Sequence, residues 1–262
     1  MATTSVTGSR RVTIPIGFCI ALLGCRTPSG TLLVPSSVTR SLSVEVDDAL
    51  ILGDTSRGIA LLREGAATRE VSANWGSSAP TIVSVEQGGW ITAQLVGMVT
   101  IHAAYEELQA ARELSVVASF DGSWSGRVAL DTCRRESGPG PDPCRFGLGA
   151  QAPIQMDLRQ QTRRLSGELS IFAEPITGIL NATVERRTAR IDEPLSLSGG
   201  GQRITVTSLR MTLDESSRLA IDEFLVRHEL TNAFGRQTIL GRFRAVVPLV
   251  PLGAPGAQKR KR

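Results

Sequence analysis

The chain has 262 residues, 41% of them hydrophobic and 21% charged, with a net charge of +4. That balance excludes a wholly disordered chain, and 26 glycines without a repeating period exclude collagen. Lys259 and Lys261, in the last four residues, are the only lysines, which excludes Walker-type phosphate binding and Schiff-base chemistry from any folded part.

Residues 1–24 read as an export signal. Arg10 and Arg11 supply a cationic start, and Val12–Leu23 is apolar but too short to span a bilayer as a helix. Its end, Leu22-Leu23-Gly24-Cys25, resembles the lipobox of bacterial lipoproteins. The resemblance implies lipidation of Cys25 and anchoring to the cell envelope. Arg26 rather than Asp after the cysteine leans towards the outer membrane, facing the periplasm or outward. The alternative is an ordinary signal peptide. Residues 25–36 form the lipidated end and a tether rich in Thr, Pro, Ser and Gly.

Beyond the tether, alternating apolar and polar residues in short runs between Gly, Pro, Asp and Asn predict an all-β chain. The chief helical candidate is a short one near Ile59–Glu64. Residues 37–118 form a first module. Its landmarks are Leu52-Gly53-Asp54-Thr55, Trp75 running into Ala79-Pro80, Ile82-Val83-Ser84-Val85, the Gly88-Gly89 turn and Gly97-Met98-Val99-Thr100-Ile101. In that order they resemble the bacterial Ig-like domain, group 2, which implies a β-sandwich with Trp75 buried between its sheets. Val99, Ile101, Ala103 and Tyr105 share one face, so His102 points to solvent. Trp90 is expected to pack its turn, the rival being a carbohydrate-stacking platform.

Residues 119–250 contain eight candidate strands: 123–133, 153–160, 164–172, 177–186, 189–197, 203–213, 218–231 and 237–247. Eight antiparallel strands with short turns suit a closed barrel, which removes both exposed edges; a second sandwich is the rival. The opening Gly122-Ser123-Trp124 resembles the Gly-x-Trp strand of lipocalin-like barrels. In that family an arginine of the last strand packs on the tryptophan, and Arg242 and Arg244 are the local candidates. His228 alternates with Phe224, Val226 and Leu230 and so falls on the apolar face. His228, Trp124 and Arg244 are the candidate ligand-binding residues. Residues 251–262 are a basic tail expected to be disordered.

Cys133 and Cys144 remain as an even pair in an oxidising compartment, so a disulfide is expected across a loop with nothing else to order it. Cofactors, metals and catalytic residues are not expected. No serine elbow or paired-histidine zinc motif occurs, and the adjacent acids Asp47-Asp48, Glu106-Glu107, Asp192-Glu193, Asp214-Glu215 and Asp222-Glu223 read as turn or edge residues whose neighbours point to opposite faces. Nucleic acid is not an expected partner, because residues 37–118 hold 5 Arg against 10 acids and the positive charge lies at the chain ends. The sequence therefore reads as an envelope lipoprotein with two expected roles. One is non-enzymatic binding, adhesion or structure, with a cell-surface protein or glycan as partner. The other is carriage of a small apolar ligand in the barrel.

Overall fold

The computed structural model describes residues 39–172, 176–199 and 202–252, except the side chains of Phe146 and Asn232. The export signal, Cys25, the tether and most of the tail lie outside the described residues.

The first module is built from ten strands: β1 (Arg40–Glu45), β2 (Ala49–Ile51), β3 (Thr55–Arg57), β4 (Ile59–Glu64), β5 (Ala67–Glu70), β6 (Asn74–Ser77), β7 (Val83–Val85), β8 (Trp90–Ala93), β9 (Gly97–Tyr105) and β10 (Leu108–Val117). They form three sheets, ordered β1-β4-β5, β2-β10-β9-β6 and β3-β8-β7. The helix expected near Ile59–Glu64 does not form. That segment is β4, the middle strand of its sheet, paired with β1 on one side and β5 on the other. Ala60 and Leu62 point into the core, a two-residue period that a helix could not bury. Pairing on both sides outweighs the local helical spacing.

Trp75 is half-buried and packs against both apolar clusters of this module. The indole lies on bare backbone: a Cβ at Gly58 would stand 2.9 Å from Trp75 Cη2, and one at Gly89 would stand 2.5 Å from the Gly58 carbonyl oxygen. Val99, Ile101 and Ala103 are buried and His102 is exposed, as the alternation predicts. At the Gly88-Gly89 turn it is Trp75 that lies against Gly89. Ile91 and Ala93 take the inner face of β8, which leaves Trp90 50% exposed.

The second module is a closed eight-stranded antiparallel barrel. After β11 (Gly122–Ser137) and the one helix among the described residues, α1 (Cys144–Gly147), come β12 (Gln151–Gln161), β13 (Arg164–Ile171), β14 (Ile176–Glu185), β15 (Thr188–Ile191), β16 (Leu195–Gly199), β17 (Gln202–Leu213), β18 (Leu219–Asn232), β19 (Gly235–Ala245) and β20 (Val250–Pro251). Each expected strand is found. β15 and β16 are one stave, interrupted at Asp192–Pro194, because both lie between β14 and β17. β11 pairs with both β12 and β19, which closes the wall. Leu249 bridges to Leu219 and β20 pairs with Trp124–Ser125, so the chain beyond Pro248 continues the last stave.

The inward residues are almost all aliphatic and form a single cluster. Val128, Met156, Leu169, Leu180, Leu197, Val206, Leu209 and Phe224, from seven of the eight staves, have no accessible surface at all. A side chain with no accessible surface borders no space large enough for water, so the barrel is solid at these levels. The outer face carries Arg127, Asp131, Asp157, Arg159, Glu168, Arg190, Arg227 and Arg242. A barrel that spans a bilayer shows the opposite arrangement, an apolar band outside and a polar interior.

Three strands break the two-residue period at β-bulges. Register shifts fall at Leu130/Thr132 and Arg135/Ser137 in β11, at Val206/Ser208 in β17, and where β18 meets Arg210/Met211. At a bulge, neighbouring residues turn to the same side. Asp222 and Glu223 are therefore both outside, 3.9 and 3.7 Å from the Arg210 guanidinium, which corrects the expectation that such a pair splits between faces. Other adjacent acids sit at turns. Asp214, for one, accepts hydrogen bonds from the Ser216 and Arg218 amides, which with the Arg218 side chain holds its carboxyl below the usual carboxylate range.

Candidate functional site

The two ends of the barrel differ. At the end that receives the chain from the first module, Phe120 is fully buried and Trp124 is 4% exposed, and both join the barrel core with Val117 and Ala118. Trp124 Nε1 donates to the Phe120 carbonyl at 2.9 Å. Gln160 clamps the same stretch: its Oε1 accepts from the Phe120 amide at 2.6 Å, while Nε2 donates to the Ala118 carbonyl at 3.0 Å. Ala118 N–H also donates to Arg186 O at 2.7 Å. The linker between the modules is thus the plug of this end. No sequence pattern marks Gln160 for the task, since it is a polar residue near a strand end.

The opposite rim is formed by the β11–β12 connection, the β18–β19 hairpin and the start of β17. Leu130, Ile239 and Phe243 regain a little surface there, and His228 is half-buried with its Nε2 2.9 Å from Oε1 of Gln202. Burial pushes the His228 imidazole down to about 4, so the ring is neutral at neutral pH. Its place beside Phe224 and Val226 on the inner face agrees with the alternation; Gln202 carries no comparable signal in the sequence.

An unfolded imidazole near 6.5 holds more protons than the folded ring, so stability falls as the pH drops from about 6.5 towards 4 and recovers above that window. For a half-exposed ring the loss is roughly 2 kcal/mol. Urea unfolding followed between pH 7 and 4 should show this slope flattened in His228→Gln. An unaltered slope in the variant would remove His228 as its source.

Trp124 and Arg244 do not meet. Along β19 the inner positions are Gln237, Ile239, Gly241 and Phe243, so the arginines at 242 and 244 necessarily face out. Arg244 is exposed and pairs with Asp131 at 3.4 Å. The arginine expected to pack on Trp124 is replaced by Phe120 and its carbonyl. Of the three candidate ligand residues, Trp124 seals one end, His228 sits at the other, and Arg244 lies outside the wall.

Cys133 and Cys144 form the expected disulfide, with Cα atoms 5.4 Å apart. The loop it closes is held by more than the bridge. Gln237 Nε2 donates to the Pro139 carbonyl and, at 3.4 Å, to that of Pro141; Arg135 Nη1 donates to Gly140 O at 2.6 Å and the Asp142 carboxylate caps the Cys144 amide at 3.0 Å. Replacing both cysteines by serine is expected to lower unfolding stability by about 3 kcal/mol, the chain-entropy value for so short a loop. Urea melts of oxidised wild type and the double variant measure it directly; equal midpoints would show that the bridge restrains nothing.

No family model matches the chain, and no curated protein matches it.

Proposed function

We propose that this chain is an exported, non-enzymatic binding module, held at the bacterial cell envelope by lipid on Cys25. In this reading residues 37–118 are an Ig-like domain and the barrel is a scaffold that displays loops. The observation that carries it is the solid barrel: interior side chains without accessible surface leave recognition to the outer faces and the rim. The Cys133–Cys144 bridge supports export, since disulfides persist in oxidising compartments. The lipobox and the Ig-like landmarks support anchoring and display. Palmitate labelling with membrane fractionation tests the anchor: label and membrane retention should both be lost in Cys25→Ala. A soluble form beginning at Arg26 should bind isolated cell envelopes saturably. Retention of the Cys25→Ala protein, or binding that never saturates, would sink the reading.

A second reading, carriage of a small apolar ligand, draws on the closed eight-stranded wall and on the His228–Gln202 pair at the one end that Phe120 and Trp124 do not seal. In that case the ligand sits at the rim, at or above His228, because the levels below are filled.

A further inference from the structure

We propose that the cleft between the first module and the barrel wall binds a phosphate or sulfate monoester carried on a sugar-sized body. The cleft is about 730 Å3 and is lined by Arg163, Arg186, Arg190 and Arg210, with Ser115, Thr188 and Thr212 among its hydroxyls and Met98 as the apolar contact. Two carboxylates, Glu185 and Asp222, also line it. Asp222 is engaged by the Thr212 hydroxyl at 2.5 Å.

The arrangement of the arginines points to an anion. Arg190 of β15 and Arg210 of β17 are direct partners across the ladder. Like charges placed opposite each other destabilise a strand pair, so the wall carries a repulsion that a bound oxyanion would relieve. Arg210 has only long contacts, 3.9 and 3.7 Å, to Asp222 and Glu223. Arg186 and Arg190 are exposed and have no ion-pair partner among the described residues. Arg163 and Arg186 stand at the tips of the β12–β13 and β14–β15 hairpins, so guanidinium groups reach the cleft from both a hairpin edge and the wall. A guanidinium offers a planar fork of donors matched to phosphate or sulfate oxygens, and Thr188, opposite Thr212, adds a hydroxyl beside the Arg190–Arg210 pair. A cleft of this volume exceeds what a bare oxyanion fills and falls in the range of small-molecule sites. The inference is independent of the lipid anchor and of what fills the barrel.

Calorimetric titration with glucose 1-phosphate, inorganic phosphate and glucose tests it, with flotation on vesicles containing phosphatidic acid, whose headgroup is a phosphate monoester, as a separate arm. Glucose 1-phosphate should bind saturably, at least tenfold tighter than inorganic phosphate, and glucose should not bind. The Arg190→Gln, Arg210→Gln double variant should lose at least tenfold in affinity without a lower melting temperature, because it removes a repulsion. Arg186→Gln, at a hairpin tip outside the packed wall, should weaken binding at least threefold and serves if the double variant fails to fold. Flotation that depends on the same arginines, with weak sugar-phosphate binding, assigns the monoester to a lipid headgroup. Anion binding unchanged in these variants, or none in any arm, would overturn the proposal.

Discussion

Gly167→Ala is expected to destabilise the barrel by more than about 4 kcal/mol, enough to leave a marginally stable domain largely unfolded in mild urea. Gly167 lies in β13 opposite Leu158 of β12. A Cβ there would stand 2.0 Å from the Asp157 carbonyl oxygen and 2.9 Å from both the Asp157 carbonyl carbon and Leu158 Cα. These are backbone atoms, so no rotamer can relieve the clash. The two strands must part, and their shared hydrogen bonds with them. Elsewhere in a strand, glycine to alanine stabilises by about 0.5–1 kcal/mol because the unfolded chain loses freedom. Gly76, with nothing within 4 Å of its would-be Cβ, is the control, and Gly76→Ala should stay close to wild type. Urea midpoints of the two variants decide the matter. A Gly167→Ala protein within 1 kcal/mol of wild type would mean the wall is looser than described.

Trp124→Ala is expected to cost about 3–5 kcal/mol, as removal of a buried aromatic ring usually does. The indole is almost wholly enclosed and shares the barrel core with Phe120. Its Nε1–H is a partner of the Phe120 carbonyl, so deletion opens a cavity beside an acceptor that loses its donor. Trp124→Phe separates the two effects: it fills most of the space, removes the donor, and should cost about 1–2 kcal/mol more than its lost volume alone. Emission offers a second readout, since of the three tryptophans Trp90 is half-exposed, Trp75 is half-buried and Trp124 is buried. Loss of Trp124 should remove the bluest component. If Trp124→Ala melts with wild type, the plug at that end of the barrel is not structural.

Much of the barrel was legible because a stave with one apolar face repeats every two residues. Ile154, Met156 and Leu158 in β12, or Leu180, Ala182 and Val184 in β14, state the inner face outright. The broken stave was legible as one strand for the same reason, since Ala189 and Leu197 keep the same side across Asp192–Pro194. Three features were not legible, each for a physical reason. Bulges reset the period, so Asp222 and Glu223 both face out although a regular strand would divide them. Ile59–Glu64 spaces its apolar residues in a way that also fits a helix, and only the partner strands β1 and β5 decide against it. A family analogy placed an arginine on Trp124, yet the parity of β19 sends Arg242 and Arg244 outward. Periodicity also identifies which side chains point inward without revealing whether they meet at the axis. That last question bears on the choice between a carrier and a scaffold, and the inner side chains without accessible surface in seven of the eight staves favour a filled interior.

The pH and disulfide effects bear on the rim alone, where His228, Gln202 and the loop from Ser137 to Cys144 lie. Gly167 and Trp124 bear on the wall and the sealed end. Together they divide the barrel into a packed body and a rim with polar groups, the division that the proposed scaffold role requires.

The solid interior is tested most directly by native mass spectrometry of the purified, folded chain, compared with the same sample after denaturation. The scaffold account predicts one mass in both states, that of the polypeptide with its single bridge and the lipid bonded to Cys25. A stoichiometric apolar molecule present in the native spectrum and released on unfolding would contradict it.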